Sequence, residues 1–343
     1  AAELAGILKV SEKEIIFTSG GTESNNLAIK GAAFGYARSG KHIIVSSIEH
    51  DSVSRVMMYL KEQGFEITYL DVDSHGQTDR EQLSAAIRPD TILVSVMYVN
   101  NEIGTVQDIP GIGALIKEKN PDTLFHVDAV QAFGKLRINP RKAKIDMLSA
   151  SSHKIHGPKG AGFLYVKDKL KVRPQMLGGG QQRGMRSGTD NVPGVAGMAL
   201  AAANAYKNLD DNAAKVSVLR DRLASGLEKL NGSIENAEII LNSGTDNALW
   251  APHIVSATFL PVKSEVLLHA LEDKGICVSA GSACASNRQE KSHTLKNIGL
   301  DSKAQDCTLR FSLSKNNTEE EIDYTLQCLA ELLPVLAKIG RAH

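Results

Sequence analysis

Lys154 stands in the run SSHKIHGPKG, just past an apolar stretch that reads as a strand. Small polar residues precede it and Gly157-Pro158 supplies a rigid turn. A lysine in that setting suits a phosphate-bearing cofactor held through a Schiff base. Ligands of open α/β sheets gather outside the carboxyl ends of the strands. Asp128 closes the strand-like run LFHVDA, where an unpaired carboxylate is costly. A pyridinium nitrogen is a suitable partner, because the carboxylate keeps it protonated and electron-withdrawing. A helix N-cap is the ordinary alternative for Asp128. Gln131 follows three residues on, within reach of the phenolic oxygen of such a ring.

Residues 19–29 read SGGTESNNLAI. The two glycines permit a sharp turn, and Thr22 opens a helix whose free N–H groups can bind phosphate. The run is not a GxxxxGK[ST] loop. His50, after SSIE, can stack on an aromatic cofactor or shuttle a proton. His153 and His156 have HxxH spacing without companion acidic or cysteine ligands, so no metal site is expected. Cys284 lies in SAGSACASNRQEKSHT, a small, polar composition without apolar periodicity, which points to a reactive thiol. An unperturbed thiol is ionised only to roughly a few per cent at neutral pH, so a base or a bound cofactor must assist it. Cys277, Cys307 and Cys328 read instead as buried small hydrophobes. Arg310, in LRFSLS, offers a guanidinium able to hold a carboxylate bidentately, with a structural ion pair as the alternative.

Apolar runs at residues 14–18, 42–46, 66–72, 91–99, 124–129, 145–150 and 162–166 read as strands, several of them apolar on both faces as a covered parallel sheet requires. Helical patterns lie between them, at residues 24–38, 52–63 and 111–119. The alternation predicts an α/β domain with a mostly parallel sheet. A polar, glycine-rich stretch, GGGQQRGMRSGT, leads into a long helical pattern over residues 192–230. Strands near 237–241, 254–259, 276–279 and 309–313 then mix with helices near 263–273 and 318–336. The expected division is a large α/β domain over residues 1–231 and a smaller α+β domain over 232–343 that carries the Cys284 loop.

The 343 residues are 42% apolar and 23% charged, which excludes disorder as the main state. Lys plus Arg and Asp plus Glu each number 39, so bulk charge supports neither nucleic-acid nor membrane-surface binding. No apolar run has a bilayer-spanning length. Residues 1–10 lack a basic stretch ahead of an apolar one, so no secretory signal is expected. The four cysteines form no CxxC pair, which suits a reducing cytoplasm.

GGTESNNLAIKG, VNNEIG, HVDAVQAFGK, SSHKIHGPKG, GGGQQRGMRSGT, GSAC and RFSL occur in this order. Together they resemble the pyridoxal-phosphate-dependent cysteine desulfurases of the class V aminotransferase family, in its bacterial nitrogen-fixation and iron–sulfur-cluster branch. The resemblance covers essentially the whole chain, although the LDNAATT-like and GNPSS-like segments that open family members are not in it. It implies a fold-type I, homodimeric transferase that converts L-cysteine to L-alanine and leaves a persulfide on an enzyme cysteine. A sulfur-acceptor or iron–sulfur scaffold protein is the implied partner. By position, Lys154 resembles the Schiff-base lysine, His50 the ring-stacking histidine, Asp128 the pyridinium partner and Gln131 the residue at the phenolic oxygen. Thr22, Ser151 and His153 resemble phosphate ligands, and Thr189 one donated across the dimer. Asn101 and Arg310 match contacts to the substrate carboxylate, and Cys284 matches the persulfide-forming nucleophile. A selenocysteine lyase is the nearest variant. A truncated, non-catalytic homologue that docks to a scaffold is the reading from another class, and intact Lys154, Asp128 and Cys284 speak against it. A plain nucleotide-binding protein lacks both GxGxxG and a P-loop.

Overall fold

The computed structural model describes residues 1–280 and 291–340. The chain forms two compact units. The first takes Ala1–Asp71, Thr78–Val99 and Gln107–Leu209; the second takes Val72–Gln77, Asn100–Val106 and the chain from Asp210 onward.

The first unit is built on seven strands, β1 (Ile15–Thr18), β2 (His42–Ser46), β3 (Glu66–Leu70), β4 (Thr91–Met97), β5 (Leu124–Asp128), β6 (Met147–Ser151) and β7 (Gly162–Val166). They lie in the order β1-β7-β6-β5-β4-β2-β3. β6, β5, β4, β2 and β3 run parallel, and β7 opposes both of its neighbours, β1 and β6. The reversal has a length reason. Residues 152–161 hold a single 3-10 turn, too short for the crossover that a parallel return needs. Helices α1 (Ala2–Leu8), α2 (Gly21–Tyr36), α3 (Asp51–Glu62), α4 (Arg80–Ala86), α5 (Ile109–Lys119) and α6 (Val192–Lys207) complete the unit. β2, β4, β5, β6 and β7 are buried along their whole length, as a sheet covered on both faces requires. Leu27, Ile29 and Ala32 of α2 share one core with Ile43, Leu93, Leu124 and Met147.

The second unit carries α7 (Leu209–Leu230), β8 (Glu238–Leu241), β9 (Ile254–Leu260), α8 (Ser264–Glu272), β10 (Ser279–Ala280), α9 (His293–Asn297), α10 (Ser302–Asp306), β11 (Thr308–Ser312) and α11 (Glu319–Gly340). Its strands are antiparallel throughout, in the order β10-β11-β9-β8. Leu219, Leu223 and Leu227 of α7 meet Leu329 and Leu333 of α11 and Phe259 and Phe311 of the sheet. No described helix is long and apolar enough to cross a membrane.

Three expectations need correction. The helical pattern over 192–230 is two helices, because Asn208 leaves the helical region at φ −122°, ψ 35°. The strand expected at 276–279 is only Ser279–Ala280, and Cys277 ahead of it is exposed rather than buried. In that extended segment Ile276 and Val278 pack against the core. Alternation turns the side chain between them outward.

Candidate active site

β5 delivers Asp128 to its carboxyl end, where the side chain is buried. Oδ1 accepts the Val130 N–H at 2.9 Å, and Oδ2 accepts Asn25 Nδ2 at 2.7 Å. Asn25, fully buried near the start of α2, also donates through Nδ2 to Ser52 Oγ at 2.8 Å. Ser52 Oγ lies 2.9 Å from His50 Nδ1, and the Ser52 N–H donates to the same nitrogen at 3.0 Å. A backbone N–H can only donate, so Nδ1 accepts and the neutral ring carries its proton on Nε2. His50 thereby caps α3 while its orientation is fixed. Asp128, Asn25, Ser52 and His50 form one hydrogen-bonded chain across β5, α2 and α3.

Burial pushes the Asp128 carboxyl up, against the Val130 and Asn25 hydrogen bonds and the nearby charge of Lys154. A cationic ring nitrogen set against it would relieve that cost. Glu49, the residue before His50, is buried too. Its Oε1 accepts the Met97 N–H at 2.6 Å, and Oε2 has no hydrogen-bond partner among the described residues. Burial first, and the Asp128 charge second, push the Glu49 carboxyl well above the ordinary range. The Asp128 charge thus disfavours ionisation of the buried Glu49 carboxyl.

β6 ends at Ser151, and Lys154 sits in the 3-10 turn Ser152–Ile155 that follows. The turn closes at His156 in the left-handed region, φ 61°. Ser151 is buried, Lys154 half-buried and His153 exposed. Burial and the positive charges of Lys154, Lys159 and Lys135 push the His153 imidazole down.

α2 begins beside these strand ends. Gly20 takes φ 153°, ψ −174°, a region open essentially to glycine alone, and no described side chain caps the helix. A Cβ added to Gly20 would stand 3.7 Å from Ser151 Oγ, and one on Gly21 2.6 Å from Val130 Cγ2. The first-turn N–H groups of α2, with Thr22 among them, are thus left for an anion next to Ser151. A cleft of about 330 Å³ lined by Thr22, Asn26, His50, Ser52, Arg55 and Tyr59 opens here.

Thr189 is exposed, in the segment that leads to α6. That segment is fastened to the sheet edge: Gln182 Oε1 accepts the Phe17 N–H at 3.0 Å, and Arg183 Nη2 donates to the Lys13 and Ile15 carbonyls at 2.6 and 2.9 Å. Arg186 Nε binds Glu23 Oε1 at 2.8 Å. Gln131 is half-buried just past Asp128.

The second unit brings together Asn101 and Arg310. Arg310, on β11, donates through Nη1 to the Asn101 carbonyl at 2.7 Å, and its buried Nε has no hydrogen-bond partner among the described residues. A guanidinium steadied at one nitrogen and unsatisfied at another suits a carboxylate ligand. Cys284 lies outside the described residues.

Sequence reasoning did not single out Asn25, Ser52 or Glu49. Glu49 was within its reach, since an acid following a buried apolar strand raises the same question as Asp128. Asn25 and Ser52 read as ordinary first-turn polar residues.

A family model described as Aminotransferase class-V matches residues 2–325. The chain is similar to the cysteine desulfurase IscS of Serratia proteamaculans, 45% identical over 327 residues, 95% of this chain and 78% of that protein. It is 43% identical over 326 residues to the cysteine desulfurase IscS of Clostridium botulinum, 95% of this chain and 80% of the relative. Among solved structures it is similar to a NifS-like protein, TM-score 0.90 at 38% identity, over 98% of this chain and 86% of that one. A structure titled SspA in complex with cysteine aligns with TM-score 0.74 at 33% identity, over 92% of this chain and 86% of that one.

Proposed function

The chain belongs to the class-V aminotransferase family, and from that premise we propose how its residues run the reaction of a cysteine desulfurase. The observation that carries the reading is the buried Asp128 carboxylate, held at the carboxyl end of β5 by Asn25 and Val130. The family is pyridoxal-phosphate-dependent, and the donor set of the first unit fits that cofactor. Asp128 would pair with the ring nitrogen, His50 would stack on the ring and Gln131 would meet the phenolic oxygen. The uncapped start of α2, Thr22, Ser151 and His153 would hold the phosphate, and Lys154 would hold the cofactor covalently. Bound pyridoxal phosphate supplies an electron sink for the charge left when a proton leaves the substrate's α-carbon.

The chain's own residues supply the rest. Arg310, with Asn101, would hold the carboxylate of L-cysteine. Lys154 Nζ would take the α-proton, which requires a neutral amine. Asp128 would stay ionised through the reaction, held by its two hydrogen bonds. The Cys284 thiolate would attack the substrate sulfur. An S–S bond forms as the Cβ–S bond breaks, its electron pair stays with the carbon, a proton joins Cβ, and the proton taken by Lys154 returns to Cα to complete L-alanine. The persulfide would pass to a sulfur-acceptor or iron–sulfur scaffold protein in the cytoplasm.

A homodimer accounts for Thr189, which would reach the phosphate of the second copy. The exposed Leu177, Val192 and Leu200 that flank its segment in sequence support that assembly, since large apolar side chains left in water mark interaction surfaces. Supplied with pyridoxal phosphate and L-cysteine, the protein is expected to release L-alanine, and Asp128→Asn to release far less. Undiminished release by Asp128→Asn would overturn the assignment of Asp128.

A further inference from the structure

The turn after β5 ends in a lysine that the reaction just described leaves without a task. Lys135 is half-buried, and its Nζ donates to the Lys154 carbonyl at 2.8 Å. Its backbone is fixed on both sides. The Lys135 and Leu136 N–H groups both donate to the Ala132 carbonyl, at 3.0 and 2.9 Å. The Tyr206 hydroxyl of α6 accepts the Gly134 N–H at 3.3 Å and donates to the Leu136 carbonyl at 3.2 Å. Gly134, at φ 77°, packs so closely on the Lys154 turn that an added Cβ would collide with Ile155 Cγ2. The ammonium of Lys135 therefore sits where the fold puts it, beside the turn that carries Lys154.

The two lysines feel each other. Burial and the Lys154 charge push the Lys135 ammonium down to about 8, which leaves it charged at neutral pH. Repulsion between like charges is mutual, and a neighbouring cation is one of the ways a lysine amine is activated. Asp128 from β5 draws positive charge at Lys154, and His153 and Lys159 lie along the same segment as Lys154. Tyr206 on α6 stays neutral, its phenol pushed up to about 12 by burial.

We propose that Lys135 is a positioning residue for Lys154, tethering its carbonyl and setting a second positive charge beside the turn that carries its amine so that the amine is presented neutral. This deepens the reading of Lys154 above and rests on it for its catalytic meaning. The physical coupling of the two lysines is separate and is measured without cofactor.

The test is competitive acetylation of the cofactor-free chain across pH, with the Lys154 and Lys159 peptides quantified by mass spectrometry. Lys135→Met is expected to raise the pH midpoint of Lys154 labelling, cutting the reactive amine at neutral pH about tenfold, as a shift of one pH unit does. Lys135→Arg keeps the charge and should hold the midpoint near that of the unaltered protein. Lys135→Gln keeps a donor without the charge and should follow Lys135→Met, with the Lys159 midpoint as the control for folding. A Lys154 midpoint unmoved in both Lys135→Met and Lys135→Gln overturns the proposal, as does a Lys135→Arg midpoint that matches theirs. Borohydride mapping of the cofactor-loaded protein tests the role of Lys154 itself, so the two failures are told apart.

Discussion

His126 lies on β5 two residues before Asp128, on the same face of the strand. Its ring is fully buried, with Nδ1 2.9 Å from Ser95 Oγ on β4 and Nε2 3.0 Å from Ser149 Oγ on β6. One imidazole thus ties together the three parallel strands at the centre of the sheet. Burial pushes it from 6.5 down to about 3. The unfolded chain takes up a proton near 6.5 and the folded chain only near 3. The contribution is therefore fully present above 6.5 and is lost as pH falls through the interval. At about 1.36 kcal/mol per pH unit the interval is worth about 5 kcal/mol, a large share of a domain's stability. His126→Gln removes the titration and keeps an amide in the pocket. At pH 7 it should cost about 1–3 kcal/mol, since one serine hydroxyl loses its partner. Urea unfolding of the cofactor-free protein at pH 7, 6, 5 and 4 reads the rest. Stability of the unaltered chain should fall more steeply than that of the variant, by about 1.4 kcal/mol per pH unit below pH 6. His42, also pushed down by burial, contributes to both chains and cancels. Parallel slopes would refute the argument.

Asn25→Leu removes the donor shared by Asp128 and Ser52; loss of a charge-assisted bond worth about 1.5–3 kcal/mol should raise the cofactor dissociation constant tenfold or more, and equilibrium dialysis showing no change contradicts the network's role. Lys154→Ala should let the cofactor wash out on gel filtration, and borohydride reduction of the unaltered protein should label Lys154; a label on Lys159 instead defeats the assignment. Arg310→Met should raise KM for L-cysteine by about 10–100-fold and lower kcat less, the signature of lost carboxylate binding; an unchanged KM means Arg310 does not touch the substrate.

What the sequence makes legible follows from which signals are local. Continuous apolar runs announce β2, β4 and β5, because a strand covered on both faces has no polar side to alternate. The reversal of β7 is written nowhere in GFLYV; it follows from the short connection behind it. α4 has only seven residues, and its clearest mark is Asp79, whose Oδ1 accepts the Glu81 and Gln82 N–H groups at 2.8 and 2.9 Å. The break at Asn208 hides inside a pattern that is helical on both sides. At the site, Asp128 and Lys154 stand out because their residue types are costly or purposeful where they occur. Asn25 and Ser52 do not, since a polar residue near a helix start has an ordinary use and only tertiary packing turns it inward. Lys135 looks like any solvated lysine until Gly134 and Tyr206 fix its turn. Cys277 shows the opposite error, an apolar neighbourhood taken for burial when alternation faces the thiol outward.

The central claim is that sulfur taken from L-cysteine is received by Cys284. Each of the four single Cys→Ala variants, loaded with pyridoxal phosphate, can be given one equivalent of sulfur-labelled L-cysteine, alkylated, and mapped by mass spectrometry while L-alanine is counted. Cys277 is the sharpest rival because it is exposed, whereas Cys307 and Cys328 are buried and burial pushes the Cys307 thiol up. Labelled sulfur is expected on the Cys284 peptide in every chain that keeps that residue, and neither bound sulfur nor appreciable alanine in Cys284→Ala. Labelled sulfur on Cys277 with undiminished alanine release in Cys284→Ala would contradict it.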